Sequence, residues 1–543
     1  MPTQLGRLSG SREPYKTAVG ANTQVLFTRS VANTFGRIAR VAWGALSLTA
    51  APGPQPGSYA LEWARLAPPN GIVFDVQVKY SSATTWTDLA VGTTDIGQTF
   101  TPSLPGPYAL RARRRSTSNG FIFSWSPTLT LIGNWSMFQF NQRHAGVTLD
   151  PTIGASTAAH LSVKWKKTFV AANKVLYSSP AVAFNNQLHK PLVYSASFAG
   201  AITARDLATG SVVWTKAGNG PIVSSPAVVG NTVYVGLAYA KLLALDATTG
   251  TLQCSFSPGG GVMGSPVVGH VDGTGPVVFF GDDGTSETNN AGHEWAVNGV
   301  GNSGGACTRR WVFNGWHNKG PTASRTGSWS PAGLTTDSTG RPLLVLGSSD
   351  PDDSVYALDA RTGKLVWRFQ TKITGGDQDV GAAPTIGGPG LNGFPHGVVY
   401  IDGKDTIEYA LDLLTGTEIW EFDMRAASGG AGANSQSTAA LVGGRVVVPY
   451  SRYVFSLNAA TGAQVWRSGP AAGDYFSSPS VSGAPGDQVI IIGDAGGVEH
   501  AYRFSDGSSL FQLKTGGVIY SSAALAFGSV LFAASNGYLY ALG

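Results

Sequence analysis

The sequence is poor in charge and in cysteine. Only 13% of its 543 residues are Asp, Glu, Lys or Arg, and 43% are hydrophobic, so it is no polyelectrolyte held open by like charges. The two cysteines, Cys254 and Cys307, are too few for a cysteine-built zinc module or a disulfide-dense scaffold. They leave two readings open, one disulfide or a pair of core thiols. No C-x-x-C-H is present for an attached haem. No apolar run approaches the ~20 residues of a membrane-spanning helix. The formal charge is +5, but basic residues are scattered apart from Arg111, Arg113, Arg114 and Arg115, which read as a solvated strand face. Without a basic stripe interleaved with aromatics, the pattern argues against nucleic acid as a partner. A G-x-S-x-G elbow, an H-E-x-x-H helix and a P-loop are also missing. No signal peptide is recognisable after Met1. Residues 37–51 look loosely like one, and the preferred reading is the first strand of a sheet.

What the chain does have is punctuation. There are 72 glycines, 30 prolines and 14 tryptophans between short apolar runs, the composition of an all-β protein. Residues 1–40 are polar and aperiodic and read as an arm or tail. Residues 41–132 alternate with period two, as in Tyr59-Ala-Leu61-Glu-Trp63, Phe74-Asp-Val76-Gln-Val78 and Tyr108-Ala-Leu110-Arg-Ala112, which puts one face in a core and the other in water. Residues 133–160 form a linker and leader containing Trp135 and His144, the latter expected to be a structural hydrogen bonder.

From 161 to 543 the chain repeats. One element is a Ser-Pro or Ala-Pro step entering a strand, at Ser179, Ser225, Ser265, Ser330, Ala383 and Ser478, with degenerate copies at Ser437-Thr438 and Ser522-Ala523. The other is Asp-x-x-Thr-Gly-x-x-x-Trp, clear from Asp206, Asp359, Asp412 and Asn458. Its Asp and Thr side chains suit a local turn, and its Gly supplies the positive φ. The outer-strand positions are Trp165, Trp214, Cys254, Trp311, Trp367, Trp420, Trp466 and Phe511. Each unit has room for about four short strands, the content of a propeller blade. Trp165 lacks inner strands and the strand of Tyr538 to Leu542 lacks an outer one, so the two are expected to share a blade and close the ring.

These features carry two resemblances. Trp63, Leu104-Pro-Gly-Pro-Tyr108 (which looks like a tyrosine corner) and Ser124-Trp125-Ser126-Pro127 resemble a fibronectin type III domain over residues 41–132. Residues 135–543 resemble the pyrroloquinoline quinone (PQQ) propeller repeat of quinoproteins. The fold expected is therefore all-β: an eight-bladed β-propeller behind a fibronectin type III-like β-sandwich. The resemblance implies an extracellular, cell-surface or periplasmic protein. Its relatives include both dehydrogenases and non-catalytic scaffolds.

In the dehydrogenases the resemblance implies a site. Glu287 and Asp350 would be ligands to Ca²⁺, Asp350 standing where the family has Asn. Asp352 or Asp353 would be the base that removes an alcohol proton. Trp329 would be the floor under PQQ, Lys404 a donor to it, and Asp377 and Asp379 part of the adjoining loop. The adjacent cysteines that many such enzymes place over the cofactor are absent, and the loops are short. Three functions follow as expectations. The first is a binding or scaffold module with a protein or small-molecule ligand at the channel. The second is a PQQ- and Ca²⁺-dependent dehydrogenase of an alcohol or polyol. The third is self-assembly at a surface through the arm at 1–40.

Overall fold

The computed structural model describes residues 24–26, 39–41, 46, 49–52, 59–64, 68–80, 85–100, 108–126, 129–131, 135–148, 150, 152–169, 177–185, 187–188, 190–283, 292–302, 305–317, 327–372, 378–430, 432, 437–483 and 486–543. Among them, Gln24–Leu26 pairs antiparallel with Ala39–Val41. Two sheets follow. One has the order Thr49–Pro52, Tyr59–Glu62, Gly97–Phe100, and the other Thr87–Thr93, Ile72–Tyr80, Tyr108–Ser116, Leu129–Leu131. The signal-like stretch thus holds strands. The alternation in Tyr108–Ser116 does place Leu110 and Ala112 in a core with Leu61, Trp63, Phe74 and Phe100. Buried Trp63 donates its indole N–H to the Asp95 carbonyl at 2.8 Å. Residues 101–107, before the expected tyrosine corner, lie outside the described residues, and Tyr108 packs edge-on to Phe100 at 5.3 Å.

The arginine run departs from the expected solvated face. Asp75 is buried and takes Arg113 and Arg115 at 3.1 and 3.2 Å. Arg111 lies 4.1 Å from the Trp86 ring and 4.2 Å from Trp125, with Arg113 4.3 Å from the other part of that stack. Guanidinium groups favour aromatic faces, which alternation alone does not reveal.

Between Val163 and Leu542 the described strands make eight four-stranded antiparallel sheets. Sheet one is Ala181–Asn185, Lys190–Ala196, Ala201–Asp206, Val212–Ala217. Sheet two is Ala227–Val229, Thr232–Leu237, Lys241–Asp246, Leu252–Phe256. Sheet three is Val267–Gly269, Val277–Gly281, Glu294–Asn298, Arg309–Phe313. Sheet four is Gly333–Thr336, Pro342–Gly347, Ser354–Asp359, Leu365–Gln370. Sheet five is Thr385–Gly387, Val398–Asp402, Ile407–Asp412, Glu418–Asp423. Sheet six is Ala440–Val442, Arg445–Tyr450, Tyr453–Asn458, Gln464–Arg467. Sheet seven is Ser480–Ser482, Val489–Gly493, Val498–Arg503, Ser509–Lys514. Sheet eight takes Ala524–Ala526, Ser529–Ala534 and Tyr538–Leu542 and adds Val163–Thr168 as its outer strand, with Lys166 opposite Tyr540. The first strand of each sheet touches the first strand of the next, and that of sheet eight touches that of sheet one. The arrangement is a propeller-type ring. Second strands such as Thr232–Leu237 and Val277–Gly281 are buried throughout because neighbouring sheets cover both faces, so they read as apolar runs rather than alternation.

The two repeat elements hold the ring at two radii. Near the axis, the hydroxyl at each Ser-Pro step accepts the backbone N–H of the equivalent residue one sheet earlier. The chain of bonds runs Ala383 to Thr438, Thr438 to Ser478, Ser478 to Ser522, Ser522 to Ser179, Ser179 to Ser225 and Ser225 to Ser265, at 2.8–3.0 Å. It breaks between Ser265 and Ala383, where Ser330 bonds the Ala382 carbonyl instead. At the rim, each outer-strand Trp donates its indole N–H to the turn of the next sheet. Trp165 reaches Leu207 at 2.8 Å, and Trp214, Trp311, Trp367, Trp420 and Trp466 reach Ala247, Ala360, Leu413, Ala459 and Phe504 at 3.0 Å. The Trp ring lies flat against the Gly of that turn; a Cβ at Gly416 (φ +72°) would stand 2.6 Å from Trp367. Both the positive φ and the close approach therefore call for glycine.

Between sheets two and three the Trp and Gly are both replaced. Cys254 stands at the Trp position and Cys307 at the Gly position, with φ +56° and its N–H on the Asn298 carbonyl at 2.6 Å, as Gly210 N–H lies on Asp206 at 2.8 Å. The two form a disulfide, which decides the question the sequence left open.

The leader, residues 135–150, winds through the middle. It bonds to Val182 of sheet one, Val228 of two, Val268 of three, Leu334 of four, Ile386 of five, Leu441 of six, Val481 of seven and Gly528 of eight, at 2.6–3.0 Å. His144 is buried with a ring nitrogen 3.3 Å from the Pro384 carbonyl, and burial lowers its pKa to about 4, so it stays neutral as a structural bonder. This hub lies further along the inner strands than the Ser-Pro steps, so it leaves the Ser-Pro end of the ring as a separate face.

Candidate functional site

In an antiparallel four-stranded sheet, the hairpin joining strands two and three lies at the same end as the segment leading into strand one. Those two sets of loops make up the face of the ring away from the leader (the open face), and the described nominated residues Trp329, Asp350, Asp352, Asp353, Asp379 and Lys404 belong to them. The lead-in to sheet four is distinctive. Ser328 binds the Gly347 carbonyl, as Ser224 and Ser477 bind those of Gly236 and Gly493. The path from Ser328 to its inner strand is longer, and Trp329 occupies the added length, at the break in the hydroxyl belt. The Trp329 ring rests on Gly381, where no Cβ would fit.

Lys404, in the strand two–three hairpin of sheet five, sits with its ammonium 5.7 Å from the Trp329 ring centre. It bonds Asp379 at 2.6 Å, with side-chain exposures of 8% and 13%. The other Asp379 oxygen accepts the Asp350 backbone N–H at 2.6 Å. Trp329, Lys404, Asp379 and Asp350 thus come together from the loops of sheets four and five. Lys404 also borders a cavity of about 450 Å³ with Lys372, Asp405, Asp423 and Arg425.

Asp352 and Asp353 are placed differently. Asp352 is fully buried under its hairpin and accepts the Ser348 hydroxyl at 2.8 Å, and Asp353 is 3% exposed in a left-handed turn (φ +47°). Both side chains are buried in the hairpin that joins strands two and three of sheet four. Glu287 and Asp377 lie outside the described residues. Among the described residues, no three His, Cys, Asp or Glu side chains converge to hold a metal ion.

One member was missed. Burial, then the charges of Asp282 and Asp379, push the Asp283 carboxyl up to about 7. Its loop bridges to Gly261 in the lead-in of sheet three, with Asp283 N–H on the Gly261 carbonyl at 3.0 Å. The only hint in the sequence is the Asp282-Asp283 doublet opening the longest insertion. Beside it, Asp282 accepts the Trp295 indole N–H and lies 3.4 Å from His293.

On the far side of the same face the rings are aromatic. Tyr177 stacks on Tyr520 at 5.2 Å, and Phe476 meets Tyr520 edge-on at 5.3 Å. Tyr177, Phe198 and Tyr239 are 50%, 40% and 66% exposed.

A ring of four-stranded sheets with Trp docks and a hydroxyl belt defines the class, a PQQ-like repeat propeller. Comparison with solved structures agrees. The quinohemoprotein alcohol dehydrogenase from Comamonas testosteroni superposes with a TM-score of 0.60 at 15% identity, covering 76% of this chain and 80% of that one. A europium-containing methanol dehydrogenase gives 0.58 at 15% identity, covering 75% and 89%. At such identity these likenesses show the fold alone. The family model described as outer membrane protein assembly factor BamB matches residues 162–283 and 320–543, and the chain belongs to that family. The outer membrane protein assembly factor BamB of Moranella endobia (strain PCIT) is 23% identical over 367 residues, 64% of this chain and 82% of that protein.

Proposed function

We propose that this chain is an eight-bladed propeller behind a fibronectin type III-like module, and that it works as a protein-binding scaffold in the periplasm or at the cell surface. The domain limits proposed are 41–132 for the module, 133–160 for the leader and 161–543 for the propeller, with 1–40 as an arm. The observation that carries the scaffold reading is the pairing inside the charged cluster. Lys404 is bonded to Asp379, and Asp379 to the Asp350 backbone, so the groups that would orient an anionic cofactor hold one another. The exposed aromatics Tyr177, Phe198 and Tyr239 supply the kind of surface that protein interfaces favour. Membership of a family named for outer membrane protein assembly points the same way.

A second reading, a PQQ- and Ca²⁺-dependent dehydrogenase, is favoured by one observation, a half-buried Trp329 with a lysine and a carboxylate beside it. The remaining residues fit that group poorly. Asp350 meets the cluster through its backbone N–H, and Asp352 is buried against Ser348.

The two readings separate by experiment. A photo-crosslinker at Phe198 in the native host is expected to capture protein partners, with capture lost when Tyr177→Asp and Tyr239→Asp are added to the same chain. Purified protein given PQQ and Ca²⁺ is expected to show neither a shifted quinone spectrum nor alcohol-dependent dye reduction. Dye reduction with turnover would overturn the scaffold reading.

A further inference from the structure

Six rim contacts between sheets use a Trp resting on a Gly, and the seam between sheets two and three uses Cys254–Cys307 at the same two positions. The swap is paired: the residue that would supply the ring and the residue that would receive it are both changed. This seam therefore has no indole hydrogen bond and no ring-on-glycine contact, and its rim is held by the disulfide. The two sulfurs are unequally placed. Cys307 is 6% exposed, while Cys254 is half-buried on an outer strand where Leu252, Gln253 and Ser255 are exposed.

The seam also reaches the open face. The strand Leu252–Phe256 runs on to Gly260 and Gly261. Gly261 accepts the Asp283 N–H at 3.0 Å, and Gly260 packs so closely on Asp282 and Asp283 that a Cβ there would collide with the Asp283 carbonyl. What holds the strand of Cys254 in place thus also holds the segment beneath Asp283.

We propose that Cys254–Cys307 is a thiol-addressable clasp: a dithiol reductant opens it at Cys254, and opening it loosens the seam that supports Asp283. A thiolate of the reductant attacks Cys254 Sγ and the S–S bond breaks, with Cys307 leaving as a thiolate that takes up a proton. The second thiolate of the reductant then attacks its own sulfur in the mixed disulfide and releases Cys254, which is protonated in turn. Two electrons pass to the protein, and the reductant ends as a disulfide. The partner class is a small or protein dithiol. The Trp-docked seams have no bond for it to attack.

The test is hydrogen exchange on the full-length protein, oxidised and after dithiothreitol, with thiols titrated in parallel. Both cysteines are expected to titrate after reduction under native conditions. Amides of 252–262 and 282–283 are then expected to exchange about tenfold faster or more, while 212–217 and 246–251, the Trp214 dock, keep their rates. Cys254→Trp with Cys307→Gly, which installs the pair used at the other seams, is expected to exchange slowly with or without reductant. Cys254→Ala with Cys307→Ala is expected to exchange fast without it. The proposal fails if native protein yields no thiols, if reduced protein exchanges at the oxidised rate over 252–262, or if the double alanine variant matches oxidised wild type.

Discussion

The single residues with most at stake are those of the charged cluster. Lys404 and Asp379 are both mostly buried, so removing one takes from the other a close opposite charge in a poor solvent for charge. Lys404→Ala is expected to destabilise the protein by about 3–4 kcal/mol in chemical melts, more than a surface ion pair would. Asp283 acts in the opposite sense. Its folded pKa, about 7, lies above the unfolded value, so the native state keeps a proton that the unfolded chain has released. Stability from this group is therefore lost as pH rises from about 4 to about 7. Melts of Asp283→Asn across that range are expected to lack this slope, and a wild-type carboxyl that titrates by NMR at its unfolded value would refute the assignment.

At the scale of the element, the docks and the buried acids give the predictions. Trp367→Ala, which empties the contact on Gly416, should cost about 3–5 kcal/mol. Ser478→Ala, which strips the acceptor from the Thr438 N–H, should cost about 1–2 kcal/mol. Three glutamates, Glu294, Glu408 and Glu499, occupy one repeat position in sheets three, five and seven, where the other sheets carry Ile202, Leu242, Val355, Val454 and Leu539. All three are buried, and burial raises their pKa values well above normal, so they too destabilise the fold as pH rises above about 4.3. Glu499→Leu is expected to gain stability at about pH 8 and little at about pH 4 in guanidinium melts.

The repeat elements were legible because each carries its chemistry locally. Ser before Pro and Asp-x-x-Thr-Gly before Trp can be read within a dozen residues. Trp329 and Lys404 were nominated through a resemblance to dehydrogenase loops, and the structure brings the two within 5.7 Å. What pairs with what was not legible. Asp379 meets Lys404, and Cys254 meets Cys307, only because sheets far apart in sequence become neighbours. The leader read as a linker because most of its bonds are made by backbone groups that any sequence offers, with Gln142 and Asp150 using side chains to reach Val268 and Gly528. Asp352 was nominated only through the family resemblance, and nothing local shows that its side chain is buried against Ser348.

For the whole molecule, the scaffold proposal asks for a rigid face that can bind without rearranging. The docks around the rim and the hydroxyl belt near the axis provide one. A chain lacking residues 135–150 is expected to lose its single cooperative thermal transition, because every sheet loses a partner at once. A deletion variant that melts as sharply as the full chain would show that the sheets need no common centre.

That common centre also sets an order of events during synthesis. Residues 135–150 leave the ribosome before any strand they will hold, and Tyr538–Leu542, the partner of Val163–Thr168, is made after every other strand in the ring. The nascent chain therefore carries its axle from the outset but cannot seal its circumference until the final strand is translated. Until then its first outer strand is an unpaired edge that chaperones would have to shield.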